Sequence, residues 1–120
     1  MTEPMSGQGV ADAPSESDRV RIRDNTESRS YDAVLDGQIA GTIVYERTGG
    51  ARIVFTHTVV EPAFRGRGVG TALVRGALDD VRAKGLTLTN FCDFVGRYIH
   101  AHREYRDLLD AQYPGHVQDG

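Results

Sequence analysis

The segment VVEPAFRGRGVGTA, residues 59–72, decides how the rest of this sequence is interpreted. An apolar run ends at Glu61, a glycine-rich loop follows, and an amphipathic helical pattern begins directly after it. Gly66, Gly68 and Gly70 leave room for a ligand to approach the main chain, and the amides of a first helical turn have no partners within the helix. The segment therefore predicts a strand, a loop and a helix N-terminus that together bind an anion, most naturally a phosphate.

The composition predicts one small domain. A length of 120 residues suffices for a single core, and 39% hydrophobic with 26% charged residues is ordinary for a soluble globular protein. The formal net charge of −3 argues against a dedicated nucleic-acid binder, which carries a basic excess. Neither an apolar run of the ~20 residues that span a membrane nor a signal peptide is present, so cytoplasmic residence is expected. Cys92 is the only cysteine, which excludes an intrachain disulfide.

The periodicity of apolar residues predicts an α/β domain with an antiparallel-to-mixed sheet of about four strands and two main helices. Residues 1–18 are predicted to be a disordered tail, residues 19–110 the folded domain, and residues 111–120 a frayed tail. Strands at 30–35, 39–47 and 52–60 form an antiparallel meander that turns first at Asp36-Gly37. Residues 19–25 either add an edge strand or only lead into the sheet.

Two helices are predicted after the meander. The spacing of Val69, Leu73, Ala77 and Val81 indicates a helix that Gly85 ends. A fourth strand over 86–91 should lie parallel to the third, because a crossover helix connects the two. The second helix is expected over 94–102, with Asp93 as its cap.

The spacing of its glycines separates the loop from two common phosphate-binding loops. A Walker loop ends in Gly-Lys-Ser/Thr, which this chain lacks, and a dinucleotide fingerprint needs G-x-G-x-x-G with an acidic residue ~20 positions later. The sequence instead reads Arg65-Gly66-Arg67-Gly68-Val69-Gly70, after Val60-Glu61-Pro62. This pattern resembles the acetyl-CoA pyrophosphate loop of the GNAT N-acetyltransferase superfamily. The structural alternative is a tight turn that binds no ligand.

The resemblance covers about residues 31–109. Phe-Thr-His-Thr at 55–58, Cys92-x-Phe94-Val95-x-x-Tyr98 and Glu104-Tyr105 are similar to the small single-domain, GNAT-like N-acetyltransferase family. The resemblance implies acetyl-CoA as cosubstrate and an amine as acceptor. Because so small a domain cannot wall off an acceptor pocket, we expect the acceptor to be a protein or peptide amine. The protein itself is expected to be a monomer or a weak dimer without nucleic-acid or membrane partners.

The resemblance also implies which residues contact the cofactor. The amides of 67–71 would bind the pyrophosphate, with Arg65 and Arg67 as charge partners, although Arg67 could equally be a solvated loop residue. Asn90 would hydrogen-bond the pantetheine arm, or else cap main chain at the strand end. The expected contacts are Val59, Val60, Arg65, Gly66, Arg67, Gly68, Val69, Gly70, Thr71 and Asn90.

Three side chains are candidates for the chemistry, and each has a structural alternative. His57 shares the strand parity of Ile53 and Phe55, which favours a core histidine, whereas the resemblance implies a general base. Cys92 either accepts the acetyl group, protonates the departing CoA, or fills space as a small buried residue. Tyr98 either donates a proton to the CoA sulfur or packs in the core.

A metal site is not expected, since His100 and His102 would lie about 200° apart on a helix. Two further functions stay open. One is a CoA-binding module that senses or presents acyl-CoA without turnover. The other is a nucleic-acid adaptor that uses the basic patch from Arg65 to Arg75.

Overall fold

A five-stranded sheet in the order β1-β2-β3-β4-β5 organises residues 19–116, the part of the chain that the computed structural model describes. The first four strands are antiparallel neighbours, and β5 lies parallel to β4. This confirms the predicted α/β class, the meander and the parallel crossover. The strand count is one higher than predicted, because residues 21–25 form a full edge strand. The strands are β1 (Arg21–Asn25), β2 (Ser30–Leu35), β3 (Gln38–Arg47), β4 (Arg52–Val60) and β5 (Thr87–Asn90).

Helix α1 (Val69–Ala83) connects β4 to β5, and helix α2 (Asp93–Ala101) follows β5. The predicted apolar stripe of α1 is buried, and Gly85 follows the C-cap Lys84 with a left-handed φ of 68°. Asp93 is not the cap of α2. Cys92 occupies the N-cap position, and Asp93 is the first helical residue, where its carboxylate still favours the helix dipole. Two short 3-10 helices span Pro62–Phe64 and Arg103–Leu108.

Strand β1 packs closely against α1 where Ile22 meets Gly76. A Cβ atom on Gly76 would lie 2.9 Å from the Cβ of Ile22, which real Cβ atoms do not approach so closely. Ile22 is β-branched, and the atoms that face Gly76 are its Cβ and γ carbons, so its side chain has little freedom to move aside. The absence of a side chain at Gly76 therefore lets the edge strand sit on the helix.

We expect Gly76→Ala to destabilise the fold by about 1–3 kcal/mol through overpacking, even though alanine favours a helix by up to about 1 kcal/mol. Chemical denaturation of the single variants and of the pair with Ile22→Ala measures the coupling. The pair should be more stable than the two separate losses predict, because Ile22→Ala makes room for the new methyl group. If the losses in free energy of unfolding of the two single variants simply add in the double variant, the contact between Gly76 and Ile22 is contradicted.

The C-terminal segment runs along the outer edge of β5. Asn90 N donates to Pro114 O at 2.9 Å, His116 N donates to Asn90 O at 2.6 Å, and Thr89 Oγ1 donates to Tyr113 O at 2.6 Å. The frayed tail predicted from residue 111 therefore does not describe residues 113–116, because this edge supplies hydrogen-bond partners that local sequence cannot indicate. Residues 117–120, and the predicted tail 1–18, lie outside the described residues.

Candidate functional site

The loop between β4 and α1 forms an open cradle of main-chain groups. Gly66 and Gly68 have φ values of 76° and 80°, which residues with side chains rarely adopt. Gly68 is the N-cap of α1, and the first helical hydrogen bond runs from Ala72 N to Gly68 O at 3.1 Å. The amides of residues 69–71 precede that bond and lie at the positive end of the helix dipole. The cradle is therefore suited to an anion.

A cavity of about 390 Å³ opens in front of this cradle, which is large enough for part of a small-molecule ligand. Phe94 of α2 closes one side of it. A Cβ atom on Gly70 would lie 2.8 Å from Phe94 Cζ, so glycine at that position lets the ring approach the start of α1. Of the predicted cofactor contacts, Val59, Arg67 and Asn90 do not line the cavity. The lining residues are Val60, Phe64, Arg65, Gly66, Gly68, Val69, Gly70, Thr71 and Phe94.

Two arginines place positive charge at the loop. Arg65 is exposed and lies with Nε 3.4 Å from Val60 O. Arg67 folds back over the loop, with Nη1 donating to Ala63 O at 3.3 Å and its guanidinium carbon 4.9 Å from the centre of the Phe64 ring. The guanidinium of Arg67 is thus held at the loop, which gives the cradle a fixed positive charge at one side.

A β-bulge in β4 reverses which side chains face the core. Tyr45 pairs with Phe55 and Val44 pairs with His57, so Thr56 is an extra residue on β4. Its hydroxyl donates to Val44 O at 3.0 Å. Phe55 is fully buried, whereas His57 is exposed. The expectation of a core histidine is therefore wrong, because the bulge breaks the parity on which it depended and turns the imidazole to solvent.

The same bulge brings Thr58 to Cys92. The Thr58 Oγ1 lies 3.1 Å from the Cys92 Sγ, and the cysteine is only 5% exposed. Sequence reasoning missed Thr58 as a site residue, since without a bulge it would share the outward face of Thr56. The signal in the sequence is the Thr-His-Thr triplet, which places polar side chains on both faces of an otherwise apolar strand.

Beyond this point β4 and β5 separate. Their ladder ends where Phe55 pairs with Asn90, followed by a hydrogen bond from Phe91 N to Phe55 O at 2.9 Å. Strand β4 continues to Val60, whereas the other chain turns into α2. Val60 and Phe94 line the cavity and lie two residues after Thr58 and Cys92, respectively. The hydroxyl–thiol pair thus lies two residues before the cavity lining in both segments, although neither Thr58 nor Cys92 lines the cavity itself.

Asn90 is fully buried, and its side chain brackets the main chain of Cys92. Its Oδ1 accepts from Cys92 N at 3.1 Å, and its Nδ2 donates to Cys92 O at 2.9 Å. Of the two alternatives for Asn90, capping of the strand end therefore matches the geometry, and contact with a pantetheine arm does not.

Tyr98 lies about 9 Å further along α2 than Cys92, given the rise of a helix. Its ring stacks on His102 with centroids 4.0 Å apart, and it lies one turn beyond Phe94 on the same helical face. Burial raises the pKa of Tyr98 above its usual value, against the opposing charge of Arg75. The hydroxyl therefore keeps its proton at neutral pH. The structure does not bring Tyr98 into the cluster of Thr58 and Cys92.

Two negative findings apply to the part of the chain from residue 19 to residue 116. No helix there is both long and apolar enough to cross a membrane. No three histidine, cysteine or carboxylate side chains there are grouped closely enough to hold a metal ion.

Known proteins resemble this chain in sequence and in fold. A family model described as GCN5-related N-acetyl-transferase matches residues 30–108. Protein NATD1 of Xenopus tropicalis is 29% identical over 91 residues, which cover 75% of this chain and 84% of the relative. Protein NATD1 of Homo sapiens is 28% identical over 81 residues, covering 67% and 72%. The solution structure of a protein described as GCN5-like from Staphylococcus aureus has a TM-score of 0.56 at 20% identity, over 82% of this chain and 98% of that one.

Proposed function

The chain belongs to the GCN5-related N-acetyltransferase family, and from that premise we propose that it transfers the acetyl group of acetyl-CoA to an amine. The observation that carries the proposal is the cradle formed by the amides of residues 69–71. It combines unpaired helical donors, the two loop arginines and an adjoining cavity of about 390 Å³. A pyrophosphate offers the compact double negative charge that such a cradle fits.

Acetyl transfer from a thioester needs a neutral amine, a polarised carbonyl and a proton for the leaving sulfur. We assign His57 as the general base, because its exposure lets it take a proton from an amine that arrives from solvent. Cys92, at the inner end of the β4–β5 gap, either accepts the acetyl group or protonates the leaving thiolate. Tyr98 is the alternative proton donor, for a cofactor whose sulfur lies further along α2 than Cys92, and its phenol carries a proton at neutral pH.

Val59 and Val60 continue β4 beyond its ladder with β5, and because the main-chain groups of neighbouring strand residues point to opposite edges, one of the two offers its N–H and C=O to an extended pantetheine arm. Val59 is 45% exposed, which fits a position beside a ligand. The acceptor we propose is a protein or peptide amine, since His57 is exposed and so can be reached by an amine on a large substrate. Cytoplasmic residence, a monomeric or weakly dimeric state and the lack of a nucleic-acid partner stay predictions of the sequence.

The test is release of free CoA thiol from acetyl-CoA, measured with lysine peptides, peptides with free N-termini and small polyamines as acceptors. We expect amine-dependent thiol release that falls at least about tenfold in His57→Ala, because general-base catalysis contributes on the order of 100-fold or more. Intact mass spectrometry of the protein then reports whether Cys92 carries an acetyl group. Tight binding of acetyl-CoA without thiol release and without an acetylated cysteine would favour the alternative of a CoA-binding module.

Reversal of the Arg67 charge should weaken the binding of acetyl-CoA. We expect Arg67→Glu to raise the dissociation constant about tenfold, because loss of a positive charge and gain of a negative charge beside the pyrophosphate are together worth on the order of 1–2 kcal/mol. The thermal stability without ligand should change by less than about 1 kcal/mol. Arg103→Glu is the matched control, since Arg103 is exposed and lies in the 3-10 helix after α2 rather than in the glycine loop. Equal affinities of the two variants would contradict the role of Arg67.

A further inference from the structure

We propose that Thr58 is a positioning residue for the chemistry at Cys92. Its hydroxyl donates a hydrogen bond to the cysteine sulfur and restricts the side-chain torsion that sets where that sulfur points. The inference rests on the proposed function, in which Cys92 takes part in acetyl transfer. It adds a residue to the reaction site that the loop motif does not include.

The contact itself is the first support. Thr58 Oγ1 and Cys92 Sγ are 3.1 Å apart, although the two residues are 34 positions apart in the chain. Either atom of this contact can donate, and we assign the hydroxyl as the donor and the sulfur as the acceptor because a hydroxyl is a stronger donor than a thiol. A hydrogen bond to sulfur favours its anionic form and restricts rotation of the cysteine side chain. Both effects raise the reactivity of the thiol toward a substrate that approaches from one fixed side.

The second support is the way in which the rest of Cys92 is held. The Asn90 side chain binds both the N–H and the C=O of Cys92, and the main chain of Asn90 is bound in turn by Pro114 and His116. These contacts fix the main chain of Cys92 without any contribution from Thr58. The side-chain torsion of the cysteine is the freedom that remains, and the threonine hydroxyl restricts it.

The third support is the bulge at Thr56, which is the feature that turns Thr58 toward the thiol. A regular strand would place Thr58 and Cys92 on different faces, so the contact depends on a local departure from β geometry. Bulges often redirect one side chain at a functional site.

The hydroxyl serves both routes of the proposed reaction. In the covalent route the Cys92 sulfur bonds to the acetyl carbon, the bond from that carbon to the CoA sulfur breaks, and the thiol proton passes to CoA. The amine then takes the acetyl group, and one of its protons restores the thiol. In the direct route Cys92 gives its proton to the CoA sulfur and regains one from solvent. Each route needs the sulfur held at the same place.

The test compares Thr58→Val, which keeps the shape and removes the hydroxyl, with Thr58→Ser, which keeps the hydroxyl. The matched control is Thr87→Val, since Thr87 also lies in the sheet and donates one hydrogen bond, to Asp110 at 2.9 Å, away from Cys92. The rate of Cys92 alkylation by iodoacetamide is measured against pH by intact mass. In parallel, kcat and KM for acetyl-CoA and the melting temperature are measured.

We expect Thr58→Val to slow alkylation about tenfold at neutral pH, with a difference that narrows as the pH rises, because a hydrogen bond to a charged sulfur is worth on the order of 1.5 kcal/mol. We expect kcat to fall about tenfold at an unchanged KM, since the loop that binds the cofactor is untouched. In Thr58→Ser, the alkylation rate and kcat should stay within about threefold of the wild-type values. In Thr87→Val, both should equal the wild-type values.

Alkylation of Thr58→Val at the wild-type rate, or equal losses in the serine and valine variants, would overturn the inference. If Thr58→Val does not fold, Thr58→Ala takes its place under the same criteria. If the wild-type protein shows no turnover while alkylation of Cys92 is slowed in Thr58→Val, the result counts against the proposed function and supports the hydrogen bond. Full turnover in a folded Thr58→Val would count against the inference and leave the proposed function standing.

Discussion

Gly68→Asp is expected to weaken acetyl-CoA binding by about 100-fold or more while leaving the fold in place. Gly68 caps α1 at φ 80° and ψ 6°, a conformation that aspartate tolerates better than most residues, and aspartate is also a favoured helix cap. Its carboxylate would occupy the amides of residues 69–71 and repel the phosphates. A loss of about 3 kcal/mol corresponds to the expected drop in affinity.

Gly68→Asn is the matched control, because asparagine has the same shape and capping ability without the charge. Calorimetric titration should find its affinity about tenfold higher than that of Gly68→Asp, since the charge repulsion is absent. Melting curves without ligand should be similar for the two variants. Equal losses of affinity would show that bulk alone blocks the loop, and wild-type affinity in Gly68→Asp would exclude the cradle as the anion site.

Asn90→Asp should destabilise the fold by about 3–5 kcal/mol. The change keeps the acceptor for Cys92 N but replaces the donor to Cys92 O with a buried negative charge that faces a carbonyl oxygen. Asn90 is fully buried, so water cannot screen the repulsion. Thermal unfolding at neutral pH should show a melting temperature lower by about 15 °C or more.

Acid should reverse part of that loss. Burial would raise the pKa of the introduced carboxyl above its unfolded value of about 3.9, so the destabilisation is present above that raised pKa and disappears as the pH falls through it. A protonated carboxyl can again donate to Cys92 O. The gap between the melting temperatures of wild type and variant should therefore narrow toward pH 4. A difference in melting temperature that is constant with pH, or a variant as stable as the wild type, would contradict the role of the two hydrogen bonds from the Asn90 side chain to the main chain of Cys92.

Local sequence rules predicted much of the fold. Asp36-Gly37 forms the expected two-residue turn, with φ values of 52° and 77°, because few residue pairs adopt that geometry. Gly85 ends α1, and the apolar stripe of that helix is buried, since both signals depend only on neighbours in the chain. The glycine loop was recognisable for the same reason. Its conformation follows from residue types at fixed spacing.

Features that depend on distant partners escaped prediction. The bulge at Thr56 is specified by the pairing of β4 with β3, so the exposure of His57 and the inward direction of Thr58 could not follow from strand parity. The main chain of Asn90 is bound by a C-terminal segment that sequence composition marks as a tail, so the full burial of Asn90 could not be predicted from composition. Contacts of this kind require the folded sheet edge to exist first.

The binding of acetyl-CoA is the premise on which the roles of the loop, of Cys92 and of Thr58 all depend. Calorimetric titration of the protein with acetyl-CoA, CoA and AMP in parallel tests it most directly. We predict one-to-one binding of acetyl-CoA and CoA, much weaker binding of AMP, which lacks the pyrophosphate, and about 2.7 kcal/mol of added stability at ~100 times the dissociation constant. No binding of acetyl-CoA, or binding of AMP with equal affinity, would contradict it.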